Sequence, residues 1–268
     1  IPLGGDPYVE PYAGSLAVLF ARPPAFAEVA NDIDERIINA FKVMQTPESF
    51  NELMKLLRQT AFSRAEFVRA IELMNSSALP VIRAWAFMVV LNTGFAGQCA
   101  RSTPGDWGRN FIYPSNVNSW NRKMIQLYAV TPRLQHVKFE CRDAIECIKD
   151  YDNPNAVIYA DPPYVMEKRK SKNRKYSFDD VNHEAIINTL LSCKGAVALS
   201  NYDHPVFNRL TDNGWRKIEF DYTLSSVGRI RISKYRGQGN VIRDHKVKEC
   251  LWLNPRATEM LQEQNTKS

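Results

Sequence analysis

Apolar positions along the chain follow two regimes. In residues 1–45, and again beyond residue 132, they come as short blocks closed by glycine, proline or an acid. Tyr8 and Val9 lead into Glu10, Pro11, Tyr12, Ala13, Gly14 and Ser15, and residues 16–20 are apolar. That pattern predicts a short strand, a tight turn at Ala13-Gly14 and a helix. Residues 28–31 predict a second strand ending in Asp32, Ile33 and Asp34, after which Ile37, Ile38, Phe41 and Met44 recur at helical spacing. From residue 46 to 132 the regime changes. Leu53, Leu56 and Leu57 mark one helix, Phe67, Ile71 and Met74 a second, and Ile82, Trp85, Ala86, Val89 and Val90 a third, with no strand pattern among them. Residues 137–141 then predict a strand and 144–148 a helix; His183, Ile186, Ile187, Leu190 and Leu191 predict a covering helix before a buried strand at 196–202. Further strands are expected at 215–222, 227–232 and 249–253, and from Ala257 a frayed polar helix or tail. The fold class is therefore α/β: a doubly wound core from residues 1–45 and 133–268, interrupted by a mainly helical insertion at 46–132.

The most informative block is residues 156–160, Ala-Val-Ile-Tyr-Ala, whose composition is that of a strand buried on both faces of a parallel sheet. Asp161, Pro162, Pro163 and Tyr164 close it. An acid thereby stands at a strand's carboxyl end, where open α/β sheets bind ligands. Neither proline can continue a hydrogen-bond ladder, so the backbone leaves the sheet in a stiff turn that presents one carboxylate, free carbonyls and one aromatic face. Those groups suit the amino group of a planar base. Its nitrogen is a weak nucleophile because the lone pair is delocalised into the ring, and two acceptors holding its hydrogens favour the attacking form. Asp161 and the Pro162 carbonyl are the candidate acceptors, and Tyr164 the stacking face. Taken singly, a Pro-Pro pair can also do no more than end a strand.

Composition narrows the class without deciding it. The 268 residues, 44% hydrophobic, suffice for one large α/β domain with an insertion or for two small domains. No stretch approaches the roughly 18 apolar residues of a membrane span, and the start lacks the charged-then-apolar pattern of a signal peptide. Five cysteines, at 99, 141, 147, 193 and 250, are odd in number and lack CxxC pairs, so they read as reduced thiols and no metal site is expected. A net charge of +6 favours a polyanionic partner. The basic residues are unevenly spread: Lys168, Arg169, Lys170, Lys172, Arg174 and Lys175 follow the Asp161 block almost directly, with Tyr176 and Phe178 behind them, and Arg231, Lys234 and Arg236 lie in a second basic segment. Such a run is commonly a solvated loop, but beside a candidate catalytic turn it could grip phosphates.

On Asp161-Pro162-Pro163-Tyr164, the glycine turn, Asp32, Asp143 and the segment Ser200-Asn201-Tyr202-Asp203, occurring in that family's order, the chain resembles the DNA adenine (N6) methyltransferases of the Dam-like, D12 class. The resemblance implies a Rossmann-like, S-adenosylmethionine-dependent methyltransferase core. It also implies methylation of a flipped-out adenine in double-stranded DNA, with residues 46–132 as target recognition domain. Cofactor contacts would come from Glu10, Pro11, Tyr12, Ala13, Gly14 and Ser15, from Asp32 on the ribose and Ile33 on the adenine, from Asp143 and Ala144, and from Asp161, which borders both ligands. Asp34 suits a helix cap, and Asp143 suits a cap and an adenine contact equally. Ser200 to Asp203 would shape the target pocket, while His183 and His204 have no role in that chemistry. On the DNA side, residues 91–101 resemble the loop that enters DNA beside the target: Asn92, Phe95 as a wedge, Gly97 and Arg101. A polar, aromatic loop with Arg109, Asn118 and Arg122 would read base edges, and Lys168, Lys170, Lys172, Tyr176, Phe178, Arg231, Lys234 and Arg236 would hold phosphates or close the pocket. The Dam pattern has Asn after the aromatic and Arg directly after the cysteine. This chain has Ala96 and Ala100 there, with Arg101 one place later, so a GATC target does not carry over.

Members of that family also carry a Gly- and Lys-containing segment ahead of the glycine turn. Only residues 1–6 stand there, and the expectation is that an N-terminal portion is absent from this sequence. The setting implied is the cytoplasm of a prokaryotic or phage-infected cell, and no dimer is required. The same acceptors would hold a cytosine amino group or a base in RNA. An inactive cofactor- and nucleic-acid-binding subunit and a protein-amide methyltransferase are further alternatives; the intact Asp161 and Tyr164 favour an enzyme, and the basic flap favours nucleic acid.

Overall fold

The computed structural model describes residues 7–94, 107, 115–165, 181–223 and 246–266. Among the described residues seven strands form one sheet: β1 (Tyr8–Glu10), β2 (Glu28–Asn31), β3 (Val137–Glu140), β4 (Val157–Ala160), β5 (Ala196–Tyr202), β6 (Arg216–Thr223) and β7 (Lys246–Leu253), in the spatial order β3-β2-β1-β4-β5-β7-β6. The first five run parallel, with Val9 opposite both Val29 and Ile158 and Ile158 opposite Val197. β7 is antiparallel to β5 and β6. Successive side chains in the central strands go to opposite faces, and both faces are apolar, which explains the continuous hydrophobic blocks. Tyr8, Ala30, Val157, Ala196 and Ala198 join one core. Val9, Val29, Ile158, Ala160, Val197, Leu199 and Trp252 join the other.

The helices are divided between the two faces. α1 (Ala17–Ala21), α2 (Glu35–Gln45), α3 (Pro47–Gln59), α4 (Arg64–Met74), α5 (Pro80–Thr93) and α6 (Ser115–Leu134) contribute Leu19, Phe41, Leu53, Phe67, Trp85 and Trp120 to the first core. The helices drawn from 46–132 therefore share one apolar core with the sheet. α7 (Ala144–Tyr151), α8 (His183–Leu191) and α9 (Asn208–Asp212) bring Cys147, Ile148, Ile187, Leu190 and Leu210 to the second. No helix among the described residues is long and apolar enough to cross a membrane.

Three local expectations need correction. Residues 115–122, read as part of a polar loop, belong to the helix 115–134, in which Trp120, Met124, Leu127, Thr131 and Leu134 form a buried or half-buried stripe at helical spacing. Asparagine, serine and arginine between those positions hide the period. Asn92 is also helical, on the last turn of α5; its Nδ2 donates to the Met88 carbonyl at 2.7 Å and its Oδ1 accepts from Lys123 Nζ at 2.8 Å. The end expected from Ala257 as a frayed polar helix or tail is a helix, α10 (Pro255–Asn265), but an anchored one, with Ala257 fully buried. Asn254 anchors it: Oδ1 accepts from Ala257 N at 2.8 Å and Val197 N at 3.0 Å, while Nδ2 donates to the Gly195 carbonyl at 2.9 Å. The strand expected at 227–232 lies outside the described residues.

A buried ionic cluster ties the distant end of α6 to the sheet. Glu28 on β2 is 2% exposed; its Oε1 accepts from Arg133 Nη2 at 2.6 Å and Ala25 N at 2.9 Å, and Arg22 Nη1 stands 3.6 Å away. The Arg22 guanidinium also lies 3.8 Å from the centroid of the Tyr8 ring, an arrangement that places a cation on an aromatic face.

Candidate active site

The strand order reverses between β1 and β4, the point at which an open α/β sheet opens a crevice outside its carboxyl ends. The turn after β1 enters it with Gly14 at φ +47° and Leu16 at φ +54°. Gly14 is suited to this left-handed backbone, and a Cβ placed on it meets nothing within 4 Å, so open space lies beside the turn. Leu16 is a buried non-glycine residue held in the same region, a strain of about 1–3 kcal/mol that its surroundings must enforce.

Asn31, at the end of β2 and fully buried, staples two loops together. Its Nδ2 donates to the carbonyls of Pro11 and Arg142, both at 3.0 Å, and its Oδ1 accepts from Arg142 N at 3.1 Å. Ala13 N adds a bond to the Asn31 carbonyl at 2.7 Å. Sequence reading passed over this residue because a polar strand end looks like any loop entry. Asn31→Ala leaves three backbone groups without their partner, and we expect it to lower stability by about 3 kcal/mol, read as a lower urea midpoint at unchanged m-value.

Two acids flank the staple. Asp32 accepts from Gly14 N at 3.0 Å through Oδ2 and from Asp34 N at 2.9 Å through Oδ1. Burial raises its pKa, partly offset by those two N–H donors. Asp34 is the N-cap of α2, accepting from Arg36 N at 3.0 Å, as its position before a helical stripe predicts. Asp143 caps α7 through Oδ1, which accepts from Ile145 N at 2.8 Å and Glu146 N at 3.2 Å, and it remains exposed. Ala144 behind it is buried, whereas Ile33 is 50% exposed. Tyr12 feels the charges of both Asp143 and Asp32, which, after burial, help to raise its pKa. Pro11 and Ala13 are buried, and Gly14 and Ser15 exposed.

Across the crevice, β4 delivers Asp161 to Tyr164. Asp161 can be reached from solvent but is ringed by protein. The loss of surrounding water pushes its pKa up to about 6, with the nearby Tyr164 hydroxyl opposing the rise and Glu249 adding to it. Glu10, at the end of β1 and 2% exposed, accepts from the Tyr8 hydroxyl at 2.7 Å. Burial raises its pKa to about 7 and the charge of Asp161 adds to that rise, so the β1 and β4 ends meet electrostatically. Pro162 is buried, and Pro163 and Tyr164 are half-buried.

The Ser-Asn-Tyr-Asp segment closes on this turn. The Tyr164 hydroxyl lies 2.9 Å from Ser200 Oγ, and its ring meets Tyr202 edge-on with centroids 4.5 Å apart. Asn201 Oδ1 accepts from Val165 N at 3.0 Å and Tyr202 N at 2.9 Å. Asp203 faces away, accepting from Lys217 Nζ at 2.8 Å. Beside these groups a cavity of about 380 Å³ is lined in part by Val18, Tyr159, Ser200, Phe220 and Glu249. Glu249, read from sequence only as part of a last strand, hydrogen-bonds the Tyr164 hydroxyl. The two histidines take structural positions. His183 packs edge-on against Phe207 at 5.9 Å between centroids, and His204 Nδ1 accepts from Val206 N at 3.2 Å.

The nucleic-acid candidates are less completely described. Arg122 is exposed on α6, and Asn118 belongs to the same helix. Phe95, Gly97, Arg101, Arg109, Lys168, Lys170, Lys172, Tyr176, Phe178, Arg231, Lys234 and Arg236 lie outside the described residues.

A comparison with curated proteins finds no match to the chain. The family model for D12 class N6 adenine-specific DNA methyltransferase matches residues 1–236, which takes in both sides of the crevice and the helices between them. That match spans well over half of the 268 residues, so the chain belongs to this family, and its reaction is methylation of the N6 amino group of adenine in DNA with S-adenosylmethionine as donor.

Proposed function

We propose that Asp161 and the Pro162 carbonyl hold the N6 amino group of an adenine turned out of the duplex, with Tyr164 stacked on its ring. The observation that carries this reading is the meeting of the Asp161 turn with the glycine turn where the strand order reverses between β1 and β4. A target held by the first would face a cofactor held by the second. Removing the base from its stack costs a few kcal/mol, and stacking on Tyr164 with two hydrogen bonds to the amino group returns part of it. The carboxylate form of Asp161 is acceptor-only and so orients the amino hydrogens, leaving the nitrogen lone pair directed away from them. The proton lost after transfer would pass to Asp161, whose raised pKa suits a group that takes up a proton near neutrality.

The residues present fit S-adenosylmethionine. Open space beside Gly14 admits a ligand to the backbone, exposed Ile33 offers an apolar platform, and Asp32 and Asp143, both near enough to Tyr12 to act on it by their charge, would be acceptors for ribose hydroxyls and an adenine amino group. When bound, that cofactor supplies the electrophilic methyl group. The protein's part is to position the two ligands and to exclude water between them. Residues 46–132 are proposed as the target recognition domain, with Phe95 as the wedge and the basic segments at 168–175 and 231–236 on the phosphates.

The test is transfer of labelled methyl from S-adenosylmethionine to mixed-sequence duplex DNA, followed by nucleoside analysis, beside a duplex lacking adenine. N6-methyladenine in the first and no label in the second is the expected result. Label in the adenine-free duplex would overturn the base assignment.

A further inference from the structure

We propose that Glu249 is a positioning residue for methyl transfer, fixing the plane of the Tyr164 ring through its hydroxyl. The inference rests on the proposed stacking role of Tyr164 and adds the group that makes the stack rigid. A tyrosine following two prolines has a fixed backbone approach but keeps two side-chain rotations, and a ring free to swing cannot hold a base in line with a methyl donor. Here three contacts remove that freedom. Tyr202 meets the ring edge-on at 4.5 Å, Ser200 Oγ stands 2.9 Å from the hydroxyl, and Glu249 Oε1 accepts its proton.

The hydrogen-bond inventory sets the direction of the network. The phenol has one proton, which Glu249 Oε1 accepts, so the Ser200 hydroxyl donates to the phenol oxygen. Glu249 rests on a rigid base. It lies within β7, opposite Tyr202 on β5 and Phe220 on β6, so its backbone is held between two antiparallel neighbours. Asn201 fixes the same turn from the backbone side by accepting from Val165 N. The 85-residue separation of Glu249 from Tyr164 gives the pairing no local sequence signal.

A double-mutant cycle tests this on labelled-methyl transfer to mixed-sequence duplex DNA. Glu249→Ala is expected to lower kcat by about 10- to 100-fold without changing the Kd for S-adenosylmethionine. Glu249→Gln, whose amide oxygen can still accept, should recover most of that loss. Tyr164→Phe should cost about as much as Glu249→Ala, and the double variant Glu249→Ala/Tyr164→Phe no more than the worse single one, because both remove the same bond. Full kcat in Glu249→Ala would overturn the proposal, as would losses that multiply in the double variant. Tyr164→Ala separates the two levels. If it is inactive while Glu249→Ala is fully active, only the role of Glu249 falls. If Tyr164→Ala turns over normally, the stacking role beneath it falls. Thermal unfolding of each variant identifies any loss that comes from misfolding, and the isosteric Glu249→Gln keeps the comparison open if Glu249→Ala fails to fold.

Discussion

Asp161→Ala is expected to reduce methyl transfer to DNA by about 100- to 1000-fold, the scale of losing one preorganised electrostatic partner of a reacting group. The bound cofactor should be little affected, because Asp161 only borders it and its other proposed contacts, at Gly14, Asp32, Ile33 and Asp143, come from the ends of β1, β2 and β3. Equilibrium binding of S-adenosylmethionine beside single-turnover methylation separates the two effects; an unchanged rate would remove Asp161 from the chemistry. The wild-type pH profile carries a linked expectation. Protein around Asp161 raises its pKa from 3.8 to about 6, so kcat/KM should fall as pH drops through about 6 and be flat above it, and this limb should be absent from the residual activity of the variant. Stability should move in the other direction. With its folded-state pKa above the unfolded value, Asp161 contributes favourably below the unfolded pKa and loses that contribution as pH rises through about 6. At pH 8 the ionised side chain is a burden, and Asp161→Ala should unfold at the same temperature as the wild type or slightly higher. Lost activity accompanied by a clearly lower Tm would point instead to a damaged fold.

Glu28→Ala should be strongly destabilising, at about 3–5 kcal/mol, because it leaves buried Arg22 and half-buried Arg133 without their shared carboxylate. For a chain of this size that corresponds to a fall in Tm of about 10 °C. The Arg22 guanidinium already has its pKa lowered by burial, opposed by its neighbours Tyr8 and Glu28. Replacing Arg133 as well, by Met, should recover part of the loss by removing one stranded charge. Chemical denaturation of the single and double variants measures both, and a loss below about 1 kcal/mol for Glu28→Ala would mean that water reaches the cluster, making it equivalent to a surface pair. The functional consequence follows from where the cluster sits. Arg133 lies in the last turn of α6 and its Nη2 also donates to the Leu19 carbonyl at 3.3 Å, so a weakened cluster loosens that helix from β2 and from α1, the helix that follows the glycine turn.

The limits of sequence reading follow the range of each interaction. Strands buried on both faces declare themselves through consecutive apolar residues, and Gly14, Pro162 and Pro163 declare turns through their own allowed backbone angles. Asp34 before a helical stripe declares a cap. These are local constraints, and they were enough to place the sheet's main strands, the glycine turn and the Asp161 turn, and to suggest the family. The stripe of α6 is local too, but polar residues between Trp120, Met124 and Leu127 masked its period.

The remaining features are pairings between residues far apart in the chain. Asn31 joins the loop at Pro11 to the loop at Arg142, Glu28 meets Arg133, Glu249 meets Tyr164, and Asn254 closes on Gly195 and Val197. Each is a polar or charged residue that looks ordinary among its sequence neighbours. Its partner is supplied only when strands are laid side by side in a particular order. The sequence by itself determined which segments become strands, where the chain must turn, and which acid stands at a strand end ready for an amino group. The tertiary structure decided which of those turns share a crevice and which buried polar groups hold them there, because burial makes an unpaired polar group costly and only the assembled sheet brings its partner within hydrogen-bonding distance.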